Sequence, residues 1–309
     1  MRTFKNILLV LSTGYILVYF SEHLFWARPR PDDSLGGWIG AWIAYSLMAF
    51  MLLSLVSWFR VKNIWGLFLA GAAFGWLGEG VVVQTAYEIL PLSISFTGLA
   101  WHALITIWVG WYLLRKSFFA SDPFSTLKLS AVIGLCYGFW AIAWWLEPDG
   151  GIATLQEFAG FSLVTTLLVM AAYWLANWSA SEPFRPRRWV TVAISTLFVL
   201  YFFFVTVPAA PWALVILPVL LGLVYLGLRP YRRNATEGSL IDELKGQIPL
   251  WKILSLLALP GAGILFYGLA LSLDLQWRTN WLLYLITTPL GFILFGLSLY
   301  KSLRNKPAP

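Results

Sequence analysis

Hydrophobic and polar positions alternate along this chain in long blocks, not in the short periods of a soluble fold. Ten apolar runs can be marked, at 6–26, 38–58, 64–86, 95–114, 127–146, 155–177, 190–207, 211–228, 250–271 and 280–300, with short links between them that hold most of the charge. About 20 consecutive apolar residues carry a helix across the hydrocarbon layer of a bilayer. The pattern therefore predicts an all-α polytopic transmembrane helix bundle of about ten spans. The least evident boundary lies within 190–228, which is apolar throughout apart from Pro208-Ala209-Ala210-Pro211. At 1.5 Å per residue that stretch is far too long for one crossing. A tight hairpin at the prolines is expected to divide it into spans seven and eight.

Composition agrees and narrows the class. The chain has 309 residues, 60% hydrophobic and 11% charged, with a mean hydropathy of +0.75. Soluble domains carry about 25% charged residues, and a chain of this length has no core large enough to hide so much apolar surface from water. The net charge of +7 does not point to a nucleic-acid partner, because the basic residues sit in the short links. With the N-terminus inside, 18 of the 21 lysines and arginines fall on the cytoplasmic side and only Arg28, Arg30 and Arg278 fall outside. That is the asymmetry topology signals show, and omitting one span would destroy it. The expectation is a single integral membrane domain over 1–309, spans one to five within 1–146 and six to ten within 155–300. Both termini are expected to be cytoplasmic, in a prokaryotic cytoplasmic (inner) membrane with lipid as the surrounding partner. Arg2 and Lys5 before an apolar run imitate a signal peptide, but no small-x-small cleavage site follows and the first span is expected to be retained.

Several local readings follow. The stretch 27–37 (ARPRPDDSLGG) is expected to be irregular. In 239–246 (SLIDELKG), the spacing of Leu240, Ile241 and Leu244 predicts a short amphipathic helix resting on lipid. Trp26, Trp38, Trp101, Trp144, Trp145, Trp212, Trp277 and Trp281 lie near the outer boundary and read as interface anchors. Pro218, Pro260 and Pro289, with the neighbouring LPGAG and TTPLG, predict bent helices in the second half, serving a gate, a polar cavity or irregular packing. Two halves of five spans would be inverted relative to each other. The N-x-S/T matches at Asn177 and Asn234 fall on the cytoplasmic side and read as chance, and a single cysteine, Cys136, forms no intrachain disulfide. Nine of the fourteen acids (Glu22, Asp32, Asp33, Glu79, Glu88, Glu147, Asp149, Glu157 and Asp274) lean to the outer side, as a cation-attracting mouth or as solvated loop ends.

Candidate chemistry comes from depth. Glu79, between Gly78 and Gly80, lies about 22 Å along span three from Ile64, some 8 Å below the outer edge of a hydrocarbon layer about 30 Å thick. Glu22 lies about 24 Å along span one, and His102 about 10 Å down span four from the outer edge. Three ionisable groups on three helices thus share one level, where an ionised glutamate requires water, a cavity or a partner. The glycines permit close approach of another helix or a ligand. His23 points about 100° away from Glu22 and is expected to face elsewhere or the lipid interface. An outward-opening polar pocket lined by spans one, three and four is expected. In it Glu22, Glu79 and His102 bind substrate or a coupling ion, Gln84 and Glu88 line the entrance, and Tyr87 and Glu157 contribute.

Three classes fit. A secondary carrier for an unidentified small solute, proton- or cation-coupled, would use Glu79 as coupling carboxylate, Glu22 as its partner and His102 as relay; ten spans in 309 residues resembles small secondary carriers in architecture alone. An intramembrane enzyme would use the same residues as acid and base, or as a carboxylate–histidine metal site. A scaffold subunit would use them as a structural Glu–His lock. With two histidines, a three-histidine zinc site is impossible within one chain, and paired-histidine haem ligation is not expected. HExxH, G-x-S-x-G, phosphate-loop and CxxC patterns are absent.

Overall fold

The computed structural model describes residues 2–30, 33–147, 150–181, 183–234 and 238–304. Asp32, Asp149 and the Thr236 end of one N-x-S/T match lie outside them. The described residues form helices and turns without a strand. Ten helices are long and apolar enough to cross a membrane: spans one Thr3–Trp26, two Leu35–Trp58, three Ile64–Val82, four Leu92–Ser117, five Ser125–Leu146, six Leu155–Ser179, seven Arg188–Ala209, eight Ala213–Arg232, nine Leu250–Ser272 and ten Thr279–Leu303. The chain therefore has the make-up of an integral membrane protein.

Local sequence sets the ends of these helices. Ser34 and Asn63 each accept, through the side chain, the amide of the residue three positions on, starting spans two and three. Thr154 and Glu157 form a reciprocal capping box at span six. Span seven stops at Ala209, Ala210 leaves the helical region at φ −142° and ψ 82°, and span eight begins at Ala213. The hairpin falls at the paired prolines.

Hydrogen bonds between loops sort the ends into two faces. One face, carrying the N-terminal residues, gathers Lys5 with Ser181, Ser57 with Phe184, Val61 with Leu240, and Tyr231 with Asn63 and Ser302. The opposite face gathers Arg28 with Gly151, Tyr267 with Ala153, Tyr201 and Thr206 with Val82 and Val81, and Asn280 with Glu147. Between them span three is the most interior, 72% buried over its most apolar window against 11% for span seven. It packs on spans two, four, eight and ten, while span five packs on nine and span one on two and six. The two five-span halves therefore interleave. The tightest pairs of the first half, one with two and three with four, have no equivalent among six with seven or eight with nine.

Small residues allow span three its neighbours. A methyl group at Gly75 would sit 2.2 Å from the Gly98 carbonyl oxygen, and one at Gly71 would sit 3.1 Å from the Ala103 Cα. Gly71 and Gly75 thus form a G-x-x-x-G face along which span four lies backbone to backbone. Trp76 covers Gly98 and donates its indole N–H to the Ile94 carbonyl at 3.0 Å.

Two expectations are corrected, on the short connector helix and on the tryptophans. Leu240, Ile241 and Leu244 are 0–2% exposed. Their short helix Leu240–Glu243 seats against the bundle instead of lipid, pinned by the Leu240 amide on Val61 and by Arg115 on the Leu244 carbonyl. Buried Arg115 also donates to Asn177, and buried Lys252 to the Ser117 and Ala120 carbonyls, so this connector closes one end of the core. Asn177 of the first N-x-S/T match is accordingly a buried structural residue. Spans eight and ten run through Pro218 and Pro289 without interruption, and only span nine carries a 3-10 turn, Ser255–Leu257, before Pro260. Finally, the tryptophans divide. Trp212, Trp277 and Trp281 are exposed, whereas Trp101 is buried and Trp26, Trp144 and Trp145 point their N–H groups at internal acceptors.

Gly75→Ala should lower stability by about 1–3 kcal/mol, the usual cost of overpacking. Gly296→Ala, with nothing within 4 Å of the added carbon, should change it by less than about 0.5 kcal/mol. Thermal unfolding in detergent micelles checks this; equal losses in both variants would contradict the close approach of spans three and four.

Candidate functional site

The site grows from backbone irregularity. In four spans the helix widens into π turns, with N–H groups reaching back five residues: Tyr19–His23, Gly78–Val82, Phe96–Leu114 and Phe202–Thr206. Three of these segments hold Glu22, Glu79 and His102. Widening rotates the following side chains and leaves a carbonyl without its usual donor, a feature often found at functional sites. Here side chains supply donors instead: Trp101 to the Phe20 carbonyl at 3.0 Å, Thr206 to Val81 at 2.7 Å and Tyr87 to Gly80 at 2.8 Å.

The centre is a Glu–His pair. The Glu79 Oε1 lies 2.7 Å from His102 Nε2, with the two side chains 14% and 4% exposed. Thr85 donates its hydroxyl to the second carboxylate oxygen. The other histidine nitrogen, Nδ1, lies 3.0 Å from the Ser21 hydroxyl, which itself lies 3.1 Å from that of Thr106. Phe74 packs edge-on to the imidazole at 5.5 Å. Behind Phe74 an apolar cavity of about 240 Å³ separates spans two, three and eight.

Glu22 joins this centre indirectly. Its carboxylate accepts the Tyr45 phenol at 2.6 Å and the Trp26 indole at 3.1 Å. Tyr45, from span two, stands near the Ser21 hydroxyl. The polar groups lie in one row of two hydrogen-bonded stretches, Glu22–Tyr45 and then Ser21–His102–Glu79–Thr85. Its Glu22 end meets a cavity of about 180 Å³ lined by His23, Trp26, Arg28, Arg30, Asp33, Trp38 and Phe161, among others.

This differs from the expected pocket in particular ways. The structure brings Glu79 and His102 into contact and keeps Glu22 one tyrosine away. The cavity lies among spans one, two, six and the first loop, not among one, three and four. His23 is buried, with Trp38, Tyr19 and Phe161 around its ring, so it faces neither lipid nor the Glu79 centre. Gln84, in left-handed backbone at φ 61°, folds its amide onto the Val81 and Val82 carbonyls and ends the helix instead of lining an entrance. Glu88 is exposed with no contact to the row. Glu157 is exposed and consumed by its capping box, and Tyr87 supports the backbone at Gly80. Thr85 belongs to the polar surface expected to continue beyond Glu79, whereas sequence reasoning does not single out Ser21, Tyr45 or Thr106. Thr106 stands one helical turn from His102, while a tyrosine inside a span reads as packing.

The donor set limits the chemistry. Among the described residues no three of His, Cys, Asp and Glu come together as metal ligands. What the row can do is move hydrogen. A neutral His102 donating through Nε2 to Glu79 must accept at Nδ1 from Ser21, and an imidazolium would donate at both nitrogens. The Ser21 hydroxyl can rotate to serve either state, with Tyr45 and Thr106 beside it.

Comparison with family models, curated proteins and solved structures returns no match. The functional reading therefore rests on geometry.

Replacing Glu79 and His102 with alanine, singly and together, should give a coupling energy of about 0.5–3 kcal/mol, as for groups in one hydrogen-bonded network. Thermal unfolding of the two single variants and the double variant measures it. Additive losses would mean that the pair is not in contact.

Proposed function

We propose that the chain is a proton-coupled carrier for a small solute, in which Glu79 and His102 take up and release the coupling proton. The observation that carries this reading is the buried 2.7 Å Glu79–His102 pair, with the second histidine nitrogen on a hydroxyl that can reverse. A carboxylate held inside the membrane beside a histidine is the usual equipment of a proton relay. Glu22 would exchange protons and solute with the adjoining cavity, and the phenol and hydroxyl between the two carboxylates would carry the proton inward. In this reading the face rich in lysine and arginine is cytoplasmic, so both termini lie inside and the cavity opens outward in a prokaryotic inner membrane. A second reading is favoured by the complete internal satisfaction of the Glu79 carboxylate, which also suits a structural lock between spans three and four.

One experiment separates them. In reconstituted vesicles loaded with a pH-reporting dye, an external panel of zwitterionic, cationic and polyhydroxyl solutes should include one that acidifies the lumen. Glu79→Gln should fold, because its amide oxygen still accepts from His102, yet reduce that acidification to the rate of empty vesicles. No solute-dependent proton entry by the wild type, or unchanged entry by the variant, would overturn the carrier reading.

A further inference from the structure

A further cavity lies away from the Glu79 row. About 750 Å³ in volume, it lies at the face of the bundle that holds the N-terminal residues, between spans one, two and seven. That volume lies within the range of about 300–1,000 Å³ common for ligand sites. Its lining is ordered by depth. Thr3, Asn6, Arg185 and Arg187 stand at the face, and Val10, Leu11, Ile43, Leu47 and Ile194 continue inward. Along span one, Thr3 to Leu11 covers about 12 Å at the helical rise, close to one leaflet's share of a hydrocarbon layer about 30 Å thick.

The polar end is built and is cationic. The Asn6 side chain donates to the Arg185 carbonyl at 3.4 Å, and Ser57 donates to the Phe184 carbonyl at 3.0 Å, tying the segment before span seven across spans one and two. Neither the Arg185 nor the Arg187 guanidinium has a hydrogen-bond or ion-pair partner among the described residues. Among the described residues no carboxylate lines the cavity. A water-soluble anion would use the arginines and leave the apolar wall unoccupied. A neutral acyl chain would use the wall and leave two arginines unpaired.

From this match of charge and depth we infer that the groove is a binding site for one anionic phospholipid, its phosphate on Arg185 and Arg187 and an acyl chain between spans one, two and seven. Basic pockets between membrane helices bind acidic head groups on these terms. The inference is independent of the Glu79 row and of whether that row moves protons.

The test is native mass spectrometry of the purified, delipidated full chain titrated with phosphatidylglycerol or phosphatidylcholine of identical acyl chains. The wild type should retain one phosphatidylglycerol with a preference on the order of tenfold or more, since each arginine near a membrane surface contributes roughly fivefold. Arg185→Gln with Arg187→Gln should erase the preference. Ile43→Trp, which fills the groove from an exposed position, should weaken both lipids and leaves the proposal testable if the double variant fails to fold. Equal binding of the two lipids by the wild type, unchanged preference in the arginine variant, or full displacement by millimolar inorganic phosphate would each overturn it.

Discussion

A carboxylate inside a membrane helix must be surrounded by donors or it will not stay there as an anion, and the interior of this bundle is arranged around that demand at Glu79. The nearest donors come from His102 on the neighbouring helix and Thr85 just beyond its own. For His102 to reach, spans three and four must lie closer than ordinary side chains allow, and Gly71, Gly75 and Gly98 provide that distance. The π turns then aim the side chains. Each widened turn costs a regular backbone hydrogen bond in a medium without water to replace it, and the compensating donors Trp101, Thr206 and Tyr87 follow from that cost. The carboxylate, the glycines, the wide turns and the buried donors thus depend on one another.

The row from Glu22 to Thr85 is unlike a simple ion pair in one respect. Tyr45 and Ser21 in the row, and Thr106 beside Ser21, carry hydroxyls that both donate and accept. Such groups can reverse their hydrogens without moving heavy atoms, so the same packing serves more than one protonation state. Phe74 and the apolar cavity behind it keep water from one side of the imidazole. Low polarity there strengthens every hydrogen bond in the row and raises the cost of leaving one unmade.

Much of this was legible because membranes simplify sequence. Runs near 20 residues announced the spans, the proline pair at 208–211 marked the one ambiguous hairpin, and the constant helical rise brought Glu22, Glu79 and His102 to one level. Depth is a linear quantity and can be read along a chain. Rotation about the helix axis cannot be read so simply once π turns intervene: His23 turns away from the pair, as expected, but into aromatic rings, and Glu22 stands one tyrosine from the pair. Gln84 and Glu88 read as a continuing polar helical face because Val82 carries no visible stop signal; the helix ends there through the left-handed backbone at Gln84. Glu157 sits three residues after Thr154, a capping-box spacing that competes with any pocket role. Leu240, Ile241 and Leu244 form an apolar face whose partner, whether lipid or protein, is a tertiary fact.

Span seven connects the two regions that carry chemistry. With 11% of its apolar window buried, little packing holds it to the bundle. Its first two turns border the cationic groove through Trp189, Val190 and Ile194. Just beyond, the Ser195 hydroxyl meets Met51 of span two at 3.8 Å. Near its far end Thr206, in the fourth π turn, donates to the Val81 carbonyl two residues from Glu79. A helix attached at so few points takes its position from those attachments and from the lipid filling the space beside it. An acyl chain in the proposed groove would substitute for the side-chain packing that span seven lacks at one end. The hydrogen bond from Thr206 restrains the other end where the backbone of span three is already irregular. The least buried span is thus tied both to the face where an anionic lipid fits and to the turn that presents the buried carboxylate.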